Sequence, residues 1–503
     1  MVHQGNMTQR LVIPRCPSLD LNVGVEMQNS IKSSFWAVAL ISLITWSTPL
    51  CADSDDFQHW IKRQQLRALN LLYKNISAPG TAAGSVIASP SKADPNYFFH
   101  WVRDAGLVMD PLIRIFMSTN DPGIKQRIFD ETHRYVQFSR KLQLTPNLSD
   151  GLGEPKFFPN GDAYNESWGR PQNDGPAIRA VSLIRFTRHL LKLGHEDYVQ
   201  EYLYDSFEPS ESLVKADLDF VAKQWRQKSF DIWEEVLGDQ FYTRLVQRRA
   251  LLEGADLALQ LGDSISAKGY RQEAAKLSTI ILKHWDVNRS RIIPTLSTQS
   301  GPDKSSGLDM SVILASIHAL GADQFFSPSD DRMLATAARL VAAFQELYAI
   351  NQASNGMGPA LGRYPEDTYD GVHTGNRGNP WFLTTIAMAE FTYYAKRDFL
   401  KAGVVKITEL NAPFFRWVWP SEDLQPGTEI LKDSPLWEDL MDALLRFGDD
   451  FIRRVAFHIN RQTGEMSEQF DQDTGFMRGA PNLTWSYAGF LTATWVRKVA
   501  EPR

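Results

Sequence analysis

Apolar residues recur along most of this chain at intervals of three and four, the period of a helix that buries one face. Phe57, Trp60, Ile61, Leu66, Leu69, Leu72 and Tyr73 predict a helix over 56–74. The same spacing predicts helices over 105–117, 125–142, 175–193, 211–228, 239–262 and 265–285, then 308–320, 329–350, 381–401, 435–457 and 482–498. Asp174 and Pro176 stand at the cap and first turn of the fourth of these, as helix starts favour. Period-two alternation is scarce, and Arg291–Leu296 is the one obvious strand-like run. No self-similar period of about 34 or 40 residues is present, which argues against tetratricopeptide or HEAT arrays. The expectation is one all-α domain in which long loops follow alternate helices. Paired helices arranged as a toroid would gather those long loops at one end.

The loops carry the conspicuous chemistry. Tyr97–Asp104 (YFFHWVRD) places four aromatics before an Arg-Asp pair. The stretch 150–174 is long, without periodicity, and holds Glu154, Lys156, Trp168 and Arg170, which favours function over filler. Phe230–Val236 (FDIWEEV) packs Asp231, Glu234 and Glu235 around Trp233. Offsets of three and four would put the three carboxylates on one face of a helical turn. Repulsion among them, or burial, raises a carboxyl pKa, as a general acid requires. The plainer alternative is a solvated acidic turn at a helix start. Residues 362–381 add Arg363, Glu366, Asp367 and Trp381, and Glu468 sits in Ser-Glu-Gln-Phe before the last helix.

Net charge is −6 with 53 Lys and Arg against 59 Asp and Glu, so no basic surplus exists for nucleic acid. The 14 Trp suit a sugar site, because pyranose rings pack their apolar faces flat on indoles. Histidines are scattered, and no His-Glu-x-x-His or paired-cysteine motif occurs, so neither metal nor cofactor is expected. No Gly-x-Ser-x-Gly elbow and no glycine-rich phosphate loop is present. Carboxylates with aromatic platforms fit glycoside hydrolysis. An inverting enzyme holds a protonated and an ionised carboxyl about 6.5–9.5 Å apart, with room for water.

At the N-terminus, Lys32 precedes the apolar run Phe35–Trp46, and small residues follow up to Ala52. Residues 1–52 are therefore expected to be an N-terminal extension with a signal peptide, and 53–503 the mature domain. An uncleaved membrane anchor is the rival reading. Cys16 and Cys51 both lie in that extension, so a secreted or periplasmic chain without disulfides is expected.

Six stretches together are specific: NYFFHWVRD, GLGEPKF, SWGRPQNDGPA, FDIWEEVLG with QRRALLEG, GRYPEDTY with GNPWF, and SEQF with LTWSYA. In this order they resemble the glucoamylases of glycoside hydrolase family 15. The resemblance implies an (α/α)6 barrel and inverting release of β-D-glucose from the non-reducing ends of α-1,4-linked, and more slowly α-1,6-linked, glucans. Carried over by motif, Glu234 becomes the general acid and Glu468 the general base. Arg103 and Asp104 would hold the innermost glucose, with Glu235 and Arg363 as further ligands. Tyr97, Trp101, Trp168 and Trp381 would line the pocket, and Asp231 would tune Glu234 through like charge. His100 and Val102 stand where small hydroxyl residues are common in the family, and 371–377 looks like an insertion beside the pocket. The chain ends soon after the last predicted helix, so no starch-binding module is expected, and soluble maltodextrins should be better substrates than granules. A monomer is expected. The alternatives are a glucodextranase or α,α-trehalase on the same fold, or a saccharide-binding protein without catalysis.

Overall fold

Twelve helices carry the architecture of the computed structural model, which describes residues 54–207, 212–353 and 356–500. They are α1 (Ser54–Lys74), α2 (Val102–Ser118), α3 (Pro122–Leu144), α4 (Gly175–Lys192), α5 (Leu213–Gln224) and α6 (Phe241–Gln260). Then come α7 (Ser264–Ile281), α8 (Ser311–His318), α9 (Asp331–Leu347), α10 (Phe382–Ala402), α11 (Pro435–His458) and α12 (Thr484–Ala500). The even-numbered helices form a closed inner ring: α2 packs on α4, α4 on α6, α6 on α8, α8 on α10, α10 on α12, and α12 returns to α2. The odd-numbered helices lie outside, α1 on α12, α7 on α6, α9 on α8 and α11 on α10. This is the expected (α/α)6 barrel.

The sequence explains the two rings. Inner helix α10 is buried nearly all round, from Phe382 through Phe399, with Thr384, Thr385, Glu390, Thr392, Lys396 and Asp398 buried among its apolar residues. Outer helix α11 buries Trp437, Leu440, Met441, Leu444, Phe447, Phe451, Ile452 and Val455, a one-sided stripe of threes and fours. The domain 52–503 forms one compact unit.

Every passage from an outer to an inner helix is long, whereas the reverse passages range from the short turns 119–121 and 261–263 to the longer 193–212 and 403–434. Residues 75–101, 145–174, 225–240, 282–310, 348–381 and 459–483 therefore meet at one end, above the N-termini of the inner ring. Short antiparallel ladders stiffen these loops, a feature that helical periodicity does not reveal. His100–Trp101 pairs with Lys156–Phe157, and Gln469–Phe470 with Met477–Arg478. Ser229–Phe230, Leu237–Gln240 and Thr295–Ser300 form a three-stranded sheet. The run Arg291–Leu296 is thus only one of several strand pieces. No helix among the described residues is long and apolar enough to cross a membrane. The signal-peptide reading of residues 1–52 lies outside the described residues.

Candidate active site

Five of the six long loops, all but 282–310, contribute side chains to one depression. Its inner part holds an open volume of about 530 Å³ and is lined by Tyr97, Trp101, Arg103, Asp104, Trp233, Glu234, Arg363, Tyr369, Trp381, Glu468 and Trp485, among others. A wider outer part shares Tyr97, Trp233, Glu234, Arg363 and Tyr369 and adds Lys156, Trp168, Glu235 and Val372–Thr374. All eleven residues singled out in the sequence except Asp231 line one part or the other. The segment 371–377 contributes to the rim, as its position after Tyr369 suggested.

The floor comes from the first turn of α2. Arg103 is held by Gln172 Oε1 at 2.8 Å and Asp174 at 3.1 Å, and lies 3.5 Å from Asp104. Arg103 Nε and Asp104 Oδ2 are buried and make no hydrogen bond within the chain. Burial pushes the Asp104 carboxyl up to about 7, although Arg103 pulls it down. Trp168 Nε1 and Trp381 Nε1 are likewise buried donors without an acceptor. Arg103 Nε and Asp104 Oδ2 face each other as an ion pair at 3.5 Å, and with the two indole N–H groups they keep hydrogen-bonding capacity to spare at the pocket.

Glu234 does not sit on a helix. Residues 231–236 form the turn between Ser229–Phe230 and Leu237–Gln240, where Phe230 pairs with Leu237. The expected helical turn is replaced by a hairpin because Asp231 caps it: its Oδ1 accepts the N–H groups of Glu235 at 2.8 Å and Val236 at 3.0 Å. Glu234 itself has φ +67°, a left-handed backbone uncommon for a non-glycine residue and frequent at functional turns. Its Oε1 accepts from Trp101 Nε1 at 2.7 Å and Gln172 Nε2 at 2.9 Å, with the Arg103 guanidinium 3.7 Å away. Oε2 accepts no hydrogen bond among the described residues.

Glu468 lines the same inner pocket and is fully buried. Tyr97 donates to its Oε1 at 2.8 Å, and the Tyr369 hydroxyl stands 3.4 Å from Oε2. Burial raises its carboxyl to about 8, against the hydrogen bond from Tyr97 and the charge of Arg363. Trp381 bridges to Gln469, which fixes this strand beside the start of α10.

Two assignments change, those of Asp231 and Glu235, and one family departure, His100, finds a structural reason. Asp231 is not a bare charge beside the acid: Lys304 Nζ binds its Oδ2 at 2.9 Å, and that ammonium with the two backbone N–H groups holds the carboxyl below its usual range despite burial. Neutralised in this way, it shapes the turn instead of repelling Glu234. Glu235 commits both oxygens within the protein, Oε1 to Arg363 at 2.8 Å and Oε2 to the Tyr364 hydroxyl at 2.7 Å. Arg363 is also gripped by Asp367 at 2.8 and 2.6 Å, so the two form a fixed wall. His100 is structural: its Nδ1 accepts the Val86 N–H at 3.0 Å, and burial drives the ring pKa down to about 3.

Sequence reasoning assigned no site role to Trp233, Tyr369 and Trp485, which line the pocket, to Gln172, which binds Arg103 and Glu234, or to Lys156, which it noted only as part of its loop. All five stand inside or beside the quoted motifs, which was the available signal. Lys156 is enclosed by Trp168, Phe99 and Tyr164 at 3.5 to 4.1 Å from ring centroids. Among the described residues no His, Cys, Asp and Glu group is placed to hold a metal ion.

The comparisons agree with this geometry. The model of glycosyl hydrolases family 15 matches residues 62–495. The chain is 41% identical to a glucoamylase of Blastobotrys adeninivorans over 88% of its length and 73% of that protein. It is 35% identical to glucoamylase 1 of Rhizopus oryzae, covering 87% of this chain and 70% of that one. The solved family 15 glucoamylase of Hypocrea jecorina superposes with a TM-score of 0.80 at 34% identity, covering 89% of this chain and 73% of that one. With a match running from the first barrel helix to the last and the motif carboxylates facing one pocket, the chain belongs to glycosyl hydrolase family 15.

Proposed function

We propose that this chain is an exo-acting, inverting glucan 1,4-α-glucosidase. The observation that carries the reading is the pairing of Glu234 and Glu468 on one inner pocket, whose floor presents the spare hydrogen-bonding capacity of Arg103 and Asp104. A terminal glucose would satisfy those floor atoms with its hydroxyls and pack against Trp101, Trp381 and Trp485. Glu234 Oε2 would protonate the glycosidic oxygen, and Glu468 would take a proton from water attacking the opposite face of the sugar. The leaving chain would pass outward over Trp168 and Lys156. Tyr97 and Tyr369 support the base by hydrogen bonding to its charged form. Export through the N-terminal segment belongs to the same proposal.

Proton NMR of the first-formed anomer, during incubation with maltotriose, isomaltose and trehalose, tests this reading. Initial β-glucose from maltotriose, with slower release from isomaltose, is expected. Initial α-glucose would refute inversion. Preference for trehalose or isomaltose would assign a different linkage, and binding without glucose release would remove the catalytic reading.

A further inference from the structure

Lys304 stands behind the acid-bearing turn, on the loop between Thr295–Ser300 and α8. Its side chain is nearly buried, and it does not itself line the pocket. Its ammonium binds two carboxylates, Asp231 Oδ2 at 2.9 Å and Asp309 Oδ2 at 2.8 Å, and lies 3.9 Å from the Tyr364 ring centroid. Each of these three partners holds a neighbour of Glu234. Asp309 Oδ1 accepts the Trp233 indole N–H at 2.8 Å. Asp231 Oδ1 caps the backbone of Glu235 and Val236. Tyr364 donates to the Glu235 carboxylate at 2.7 Å.

The residues on both sides of Glu234 are therefore tied to one cation. The loop carrying that cation is itself fixed, since Ser306 donates its backbone N–H and its hydroxyl to Glu366 at 2.5 and 2.9 Å. Gly301, at φ +122°, lets the same loop lie against the Glu235 carbonyl, where a Cβ would come within 2.5 Å. A turn that holds a glutamate at positive φ relaxes unless its surroundings over-determine it. We propose that Lys304 is a positioning residue for catalysis: by clamping Asp231 and Asp309 it holds the strained turn so that Glu234 presents its proton to the glycosidic oxygen. The inference rests on Glu234 being the general acid.

The test separates loss of proton donation from general damage. α-Glucosyl fluoride needs no protonation of its leaving group, whereas maltose does. Lys304→Met should lower kcat for maltose on the order of ten- to a hundredfold, the cost of a misplaced catalytic group, with KM within about threefold. Turnover of α-glucosyl fluoride should stay within about threefold of the parent. In a Glu234→Gln background, Lys304→Met should have no further effect on maltose, because it acts through the missing acid. Lys304→Gln, which keeps donors without the charge, is the second variant should the methionine one fail to fold, and should show the same selectivity in smaller degree. Equal losses on both substrates, undiminished maltose turnover, or full additivity with Glu234→Gln would overturn the proposal. If Glu234→Gln alone left maltose hydrolysis intact, the acid assignment itself would fail, a result distinct from failure of the clamp.

Discussion

Glu234→Gln should remove a proton donor and leave the rest of the pocket in place. Oε1 of Glu234 is the oxygen that receives Trp101 and Gln172, and an amide oxygen can receive both at the same 2.7 and 2.9 Å. Arg103 loses a carboxylate 3.7 Å away but stays paired with Asp174 at 3.1 Å, so the floor keeps its geometry. What disappears is an acidic proton on the second oxygen. General acid catalysis contributes about 10²- to 10⁴-fold, or roughly 3–5 kcal/mol of barrier. Maltose kcat should fall by that factor, with KM changed by less than about threefold because the hydroxyl-binding groups are untouched. The assay compares initial rates on maltose and α-glucosyl fluoride for the parent, Glu234→Gln and Glu468→Gln. The first variant should fail on maltose and spare the fluoride. The second should fail on both, since water must be activated in either case. Equal impairment of both substrates by Glu234→Gln would refute the assignment of the acid, and a spared fluoride rate in Glu468→Gln would refute that of the base.

Two further outcomes follow from packing and burial. Gly479 has φ +72°, and a Cβ there would overlap Glu468 Oε2, so Gly479→Ala should displace the base and lower kcat on the order of a hundredfold while the protein stays folded by circular dichroism; unchanged turnover would contradict the contact. Stability should fall between about pH 6.5 and 8. Burial raises Glu468 to about 8 and Asp104, Glu390 and Asp450 to about 7, so the folded chain binds more protons than the unfolded one in this window and loses stability as pH rises through it. The buried His100, His318, His284 and His458 are lowered to about 3 or 4, so their opposing effect is confined below the unfolded histidine value near 6.5. Calorimetric Tm should drop on the order of a few °C across the window, and Glu468→Gln should recover part of it at pH 8; a flat or rising Tm would sink the argument.

The helical period alone determined most of the architecture. Apolar residues at threes and fours mark every barrel helix, because a helix buries a continuous stripe whichever partner it meets. The long loops before the inner helices indicated a toroid, since each outer-to-inner passage crosses the open end, although the inner-to-outer passages 193–212 and 403–434 are long as well. The motif residues Arg103, Asp104, Glu234, Arg363 and Glu468 were nameable because their local sequences are distinctive. The conformation of the acid's own turn was not legible. Offsets of three and four among Asp231, Glu234 and Glu235 are compatible with a helix. What decides against it is a lysine 73 residues away that pulls Asp231 into capping the turn. The same holds for Glu235, which reads as a free ligand until Arg363 and Tyr364, more than 120 residues later, occupy both its oxygens. Spacing along the chain fixes which residues share a face of one element. Which charges neutralise one another, and which buried polar atoms remain open to a ligand, depends on distances through space that closure of the barrel sets.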